Sequence, residues 1–82
     1  MMEIRLTELR PGETGIITAI EEDGRGFSHR LRDLGFTENT PVACVRIAPL
    51  CDPAAYRIRG TLIALRKKDA ACLFVHPTGG KL

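Results

Sequence analysis

The sequence contains no tryptophan and one tyrosine, and aromatic residues make up 5 % of it. So few rings leave little on which unpaired bases stack, which excludes a nucleic-acid platform of the usual kind. Charge points the same way. Twelve Lys+Arg against ten Asp+Glu leave +2, too little for a polyanion-binding surface. Long apolar runs are also missing. The longest, Ala70 to Val75, has the length of a strand and falls far short of the roughly 18–20 residues that cross a membrane. No membrane insertion is expected. The opening Met1-Met2-Glu3-Ile4-Arg5 has neither the basic region nor the apolar stretch of a secretion signal. Only three cysteines are present, Cys44, Cys51 and Cys72, without a CxxC pair. An odd, scattered set builds no disulfide framework and carries no zinc or redox signature. Reduced thiols and a cytoplasmic location are expected.

Signatures of catalysis are equally scarce. No GxxxxGK[ST] phosphate loop occurs. Gly24-Arg25-Gly26 is a lone GxG between an expected strand and an expected helix. That context suits anion binding at a helix start, but the third glycine of a dinucleotide loop is absent and a flexible turn explains the segment. His29 falls on the polar side of the expected helix. Cys72 and His76 share one face of an expected strand, but four residues of extended chain hold them about 13 Å apart. One metal ion requires ligands at about 2.0–2.3 Å, so this pair alone closes no site.

What remains is a chain of 82 residues with 44 % hydrophobic and 27 % charged content, the balance of one small globular domain. Thr7-Glu8-Leu9 reads as a short helical turn capped by Thr7. Pro11-Gly12 reads as a type II turn. Gly15 to Glu22 is β-branched and reads as a strand, though adjacent Ile16 and Ile17 leave its facing ambiguous. Phe27, Leu31 and Leu34 then recur at i, i+4 and i+7, the stripe of a short helix. Gly35 suits its left-handed stop, and Phe36 is placed to fold back on the stripe. Asn39 suits a turn with positive φ. Pro41 to Ala48 is the next strand, with Cys44 as a core thiol and Val45 marking a bulge. Tyr56 to Arg59 and Leu62 to Leu65 form a hairpin about Gly60-Thr61. Arg66 to Ala71 makes one helical turn and Leu73 to Val75 a last strand. The expected fold is mainly β: a small, partly open antiparallel barrel of about five strands plugged by one short α-helix. Residues 1–76 form the single domain and 77–82 a flexible tail.

Several residues stand out as candidate sites. Cys51-Asp52 pairs a soft with a hard ligand on one loop; a divalent iron or zinc site there needs His29, His76 or a second molecule to complete it. Arg57 and Arg59 alternate with Tyr56 and Ile58, giving a basic face that either docks an acidic partner or is simply solvated. Phe74 lies between inward-facing Leu73 and Val75, so it either covers the domain's own surface or marks a protein contact. Phe27, Arg30 and Leu31 at the helix are candidate partner anchors.

At the helix–strand junction the sequence becomes specific. Leu31-Arg32-Asp33-Leu34-Gly35-Phe36-Thr37 followed by Val42 resembles the hallmark of the FeoA family, ferrous iron transport protein A. Leu6-Thr7-Glu8-Leu9 with Pro11-Gly12 is similar to that family's opening. Arg46 through Pro49-Leu50 and Asp52-Pro53 resembles its strand-end loop, and Arg57-Ile58-Arg59-Gly60 with Ile63-Ala64-Leu65-Arg66 its central hairpin. The matches run in order from Leu6 to Val75. Asn39 and Cys51 stand where the family often has glycine; a cysteine is strained if position 51 needs positive φ. The resemblance implies an SH3-like barrel, a cytosolic place, no catalysis, no required cofactor, and support of FeoB, the permease with a GTP-binding domain. Self-association into a homodimer stays open, as does a second reading, a metal-linked regulatory module like the SH3-like domain of iron-dependent repressors.

Overall fold

The computed structural model describes residues 2–79 except 23–26, and of Phe27 the backbone only. The Gly24-Arg25-Gly26 segment therefore lies outside the described residues. Strand β1 (Ile4–Arg5) leads through a 3-10 turn (Leu6–Glu8) to β2 (Thr14–Ile20) and helix α1 (Phe27–Asp33). Strands β3 (Pro41–Ile47), β4 (Ala54–Ile58) and β5 (Thr61–Leu65) follow, then the short helix α2 (Lys67–Ala70) and β6 (Leu73–Pro77). All six strands join one antiparallel sheet in the order β1-β6-β2-β3-β4-β5. It curls about a single core to which every strand from β2 to β6 contributes, together with Leu6, Leu9, Leu31 and Phe36.

The expected turns form for the expected reasons. Pro11 and Gly12 make the turn in which Glu13 N–H reaches Arg10 O, with Gly12 at φ 92°. Asn39 takes φ 67°. At the end of α1, Gly35 sits at φ 109°. Its N–H bonds Arg32 O, and Phe36 N–H bonds Leu31 O. This Schellman stop brings Phe36 back onto Leu31, its usual apolar companion contact. An added Cβ at Gly35 would stand 3.3 Å from Arg59 Cδ, so a side chain there would push the Arg59 stem back on top of the strain of the positive φ.

Two bulges settle which side chains face inward. The register slips between Cys44 and Arg46, at the expected Val45, and again between Ile17 and Ala19. The second lets Ile17 and Ile20, an odd number apart, both enter the core. It resolves the ambiguity of adjacent Ile16 and Ile17 in favour of Ile17.

At the two ends of the chain the structure departs from the sequence reading in three places. A sixth strand exists because Ile4 and Arg5 pair with Val75 and Phe74; two residues are too few to carry a periodic signal. The opening helical turn starts at Leu6, and its free N–H at Arg5 is met by the Glu8 carboxylate at 2.9 Å, not by Thr7. Strand β6 continues through Pro77, opposite Gly15. Pro77 lies beyond the end of β1 on that side, so its missing N–H costs no ladder bond. Thr78 N–H still bonds Thr14 O at 3.0 Å, so the expected tail is held at its first two residues.

Tyr56, 2 % exposed, packs at the centre of the core. Burial pushes its phenol up to about 12, with the neighbouring Cys44 adding to it. The unfolded phenol ionises at its ordinary 10.0. The stability that Tyr56 contributes is thus whole below pH 10 and drains away as pH rises towards 12, by on the order of 2–3 kcal/mol. Burial likewise raises the Cys44 thiol from its ordinary 9.0, so the decline begins earlier. With one tyrosine and no tryptophan, phenolate absorbance reads this group alone. The native titration is expected near 12, and Tyr56→Phe should flatten the loss of stability over pH 10–12. A native midpoint near 10 contradicts the burial.

Candidate functional site

Helix α1 packs by its Leu31 side and presents His29 and Arg30 to solvent. Leu31 is 1 % exposed, and it cannot act as the exposed anchor that its place on the helix stripe allowed. Leu34, assigned to the buried stripe, is 44 % exposed instead. The reason is the Schellman stop: Leu34 is the residue at which the chain leaves the helix, and Phe36 takes the core place. Phe27 opens the helix, but its side chain lies outside the described residues. Arg32 forks onto Glu38 at 2.6 and 3.2 Å. That contact raises the Arg32 guanidinium above its ordinary value and lowers the Glu38 carboxyl below its own. Both groups are solvent-exposed, so the pair straps the helix end to the following turn at small energetic gain.

The two hairpin arginines part company. Arg57 lies in β4 and is exposed. Arg59 is not on the strand; it sits in the turn at φ 49°, followed by Gly60 at φ 77°. Two successive positive φ values make the tight two-residue turn that matches strand twist. From there Arg59 Nη2 donates to Thr37 Oγ1 at 3.3 Å and its stem crosses Gly35. It therefore clamps the hairpin to the end of α1. Both arginines border a shallow hollow with Pro41 and Val42. Phe74 is half-buried, and the Arg5 guanidinium stands 4.7 Å above its ring, so its outer face is covered within the domain.

The Cys51 loop is built by α2 as much as by itself. Asp52 Oδ1 accepts from the Lys67 backbone N–H at 2.9 Å and so caps a helix whose own start has no side-chain cap. Asp52→Ala should cost about 1 kcal/mol, read as a lower urea midpoint; an unchanged midpoint would show the cap to be dispensable. Cys51 is exposed at φ 67°, the conformation in which a side chain is strained. Cys51→Gly is expected to raise stability by about 0.5–1 kcal/mol, and a loss on denaturant titration would refute that strain. Below the loop is an apolar crevice of about 160 Å³ lined by Thr7, Ile47, Cys51, Ala54, Tyr56 and Lys67. His76 does not join Cys51 and Asp52: its Nδ1 lies 2.9 Å from Met2 O, on β6. Among the described residues no three of His, Cys, Asp or Glu converge on a point.

The structure also sets the candidate Arg30 among residues that sequence did not single out. Arg30, Leu34, Ala64, Leu65, Arg66 and Asp69, with the buried Leu31 behind them, line a groove of about 330 Å³ between α1, β5 and α2. Nearby Leu62 is 50 % exposed. The sequence signal for it was present: Ile63 and Leu65 alternate inward, which leaves Leu62 and Ala64 outward.

The FeoA domain family matches residues 4–77. A Porphyromonas gingivalis Fe(2+) transport protein A/Fe(2+) transporter FeoB fusion protein is 41 % identical over 69 residues, 83 % of this chain. The chain spans about 8 % of that relative's length. The solution structure of iron(II) transport protein A from Clostridium thermocellum is 32 % identical with a TM-score of 0.86, over 93 % of this chain and 46 % of that one. Stenotrophomonas maltophilia FeoA, an SH3 domain protein solved in complex with zinc, is 25 % identical with a TM-score of 0.78, over 93 % and 91 %. The likeness extends to T. acidophilum IdeR, 19 % identical with a TM-score of 0.82 over 94 % of this chain and 35 % of that one; this shows a shared fold alone. Among the described residues no helix is long and apolar enough to cross a membrane.

Proposed function

Because the chain belongs to the FeoA domain family, we propose that it is a non-enzymatic accessory of ferrous iron uptake that acts in the cytosol by binding the cytosolic part of a FeoB-type permease. The observation that carries this is the Porphyromonas gingivalis relative, in which the matching segment and the transporter share one polypeptide. Joining two modules raises their effective concentration about each other, an arrangement that serves modules which act together. The SH3-like sheet of that family, here with exposed Leu34 beside Arg30 and Arg66, supports recognition of a partner. Docking shifts the permease only if it binds one of its states better than another. The surface we assign is the exposed side of α1 with Arg30 and Leu34, together with Arg57.

The test is capture of the cytosolic part of the permease by the full chain in each nucleotide state, alongside iron uptake with and without the protein. State-dependent binding and impaired uptake are expected. Absence of binding in every state, with normal uptake, sinks the reading. Zinc in the Stenotrophomonas relative keeps a metal-linked role worth one direct measurement. Titration with Fe²⁺ or Zn²⁺, with Cys51→Ser as control, favours that role only if tight binding depends on Cys51.

A further inference from the structure

Among the described residues no strand pairs with the outer side of β5, and its register shows which backbone groups point outward. The sheet order ends at β5. It pairs with β4, Ile58 opposite Thr61 across the two-residue turn and then Leu62 opposite Arg57. In such a hairpin the residues flanking the turn exchange both hydrogen bonds, and bonded and unbonded pairs then alternate. Thr61, Ile63 and Leu65 therefore spend their N–H and C=O groups on β4, while Leu62 and Ala64 turn theirs outward. Both of these residues are exposed. The groove of about 330 Å³ borders this edge through Ala64 and Leu65, with Arg30, Leu34 and Arg66 around it.

We propose that this edge takes up an extended acidic segment of the partner as an added strand, hydrogen-bonded to Leu62 and Ala64. The proposal rests on the permease-binding reading above and names the surface and the chemistry of what it binds. An extended occupant follows from the ladder: only another strand meets outward N–H and C=O groups two residues apart. Its alternate side chains reach Leu62 on the edge and Leu34 in the groove, both large exposed apolar groups. An acidic occupant follows from charge. Arg30 and Arg66 line the groove, Arg57 stands across from Leu62, and Lys67 and Lys68 follow directly. The two ion pairs among the described residues, Arg5–Glu21 and Arg32–Glu38, use none of these cations. Among the described residues Asp69 is the one carboxylate lining the groove. A second copy of this chain fits badly. Its own β5 reads Thr-Leu-Ile-Ala-Leu and carries no carboxylate to meet Arg30 and Arg66.

The full chain is tested by calorimetry against the cytosolic part of a FeoB-type permease. Leu62→Pro removes one outward N–H and spares the bonds to β4, since proline is tolerated at a free edge. An independent surface variant, Arg30→Glu with Arg66→Glu, touches no ladder bond and serves if the proline variant misfolds. Each is expected to weaken binding about tenfold or more, and affinity of the unaltered chain should fall with added salt. Unaltered binding by both variants overturns the edge proposal while the permease reading stands. No binding by the unaltered chain overturns the permease reading. The edge is then decided by a blocked peptide of alternating glutamate and valine. Shifted and exchange-protected amides at Leu62 and Ala64, absent with a lysine-for-glutamate peptide, support it. Unmoved amides, equal binding of both peptides, or a dimer that Leu62→Pro dissociates overturn it.

Discussion

Phe36→Ala is expected to remove about 3–5 kcal/mol of stability. Phe36 has no exposed surface and sits where three elements meet: its N–H closes the end of α1 on Leu31 O, its ring enters the common core, and the chain beyond it turns into β3. Losing the ring leaves a cavity that neither the capped helix nor the paired strands can collapse into. A domain of 82 residues holds roughly 4–12 kcal/mol in all, so the loss consumes a large share of it. Chemical denaturation should show a much lower midpoint, and the melting temperature should fall by more than about 12 °C. Phe36→Leu should cost far less, since it keeps most of the volume. A loss under about 1 kcal/mol for the alanine variant would show that the ring is not part of the packed interior.

The next largest contrast lies one turn earlier. Leu31→Ala is expected to cost about 2–5 kcal/mol and Leu34→Ala less than about 0.5 kcal/mol, although both leucines fall on the same helical stripe. The difference is one of burial, 1 % exposed against 44 %. Leu31 touches the core from the last full turn of α1, while Leu34 stands at the point where the helix is broken off by Gly35. Urea unfolding of the two variants in parallel reads this directly. Equal losses would contradict the placement of Leu34 on the surface. Binding measurements invert the order under the proposed function: Leu34→Ala should weaken partner capture while leaving the fold intact.

The metal candidates illustrate a limit of reading neighbours in sequence. Cys51 and Asp52 are adjacent, but the Asp52 carboxylate is committed to the Lys67 N–H, a partner fifteen positions away that no local pattern reveals. His76 is likewise held against Met2 O from the other end of the chain. Arg59 shows the same effect. Alternation with Arg57 placed it on a strand face, whereas the hairpin register makes it a turn residue that reaches Thr37 and covers Gly35.

Sequence alone determined the local events, because each follows from the chemistry of one or two residues. Pro11-Gly12 turns, Gly35 stops α1, Asn39 adopts positive φ, Val45 bulges, and the apolar periods assign strands and helix. Tertiary structure alone decided what depends on distant pairing: the two-residue β1, the Thr18 bulge that aims Ile17 and Ile20 together, the exposure of Leu34, and the outward backbone of Leu62 and Ala64. A residue's periodicity says which neighbours share its face, but whether that face meets protein or water is set by where the sheet ends and what the curled chain lays across it.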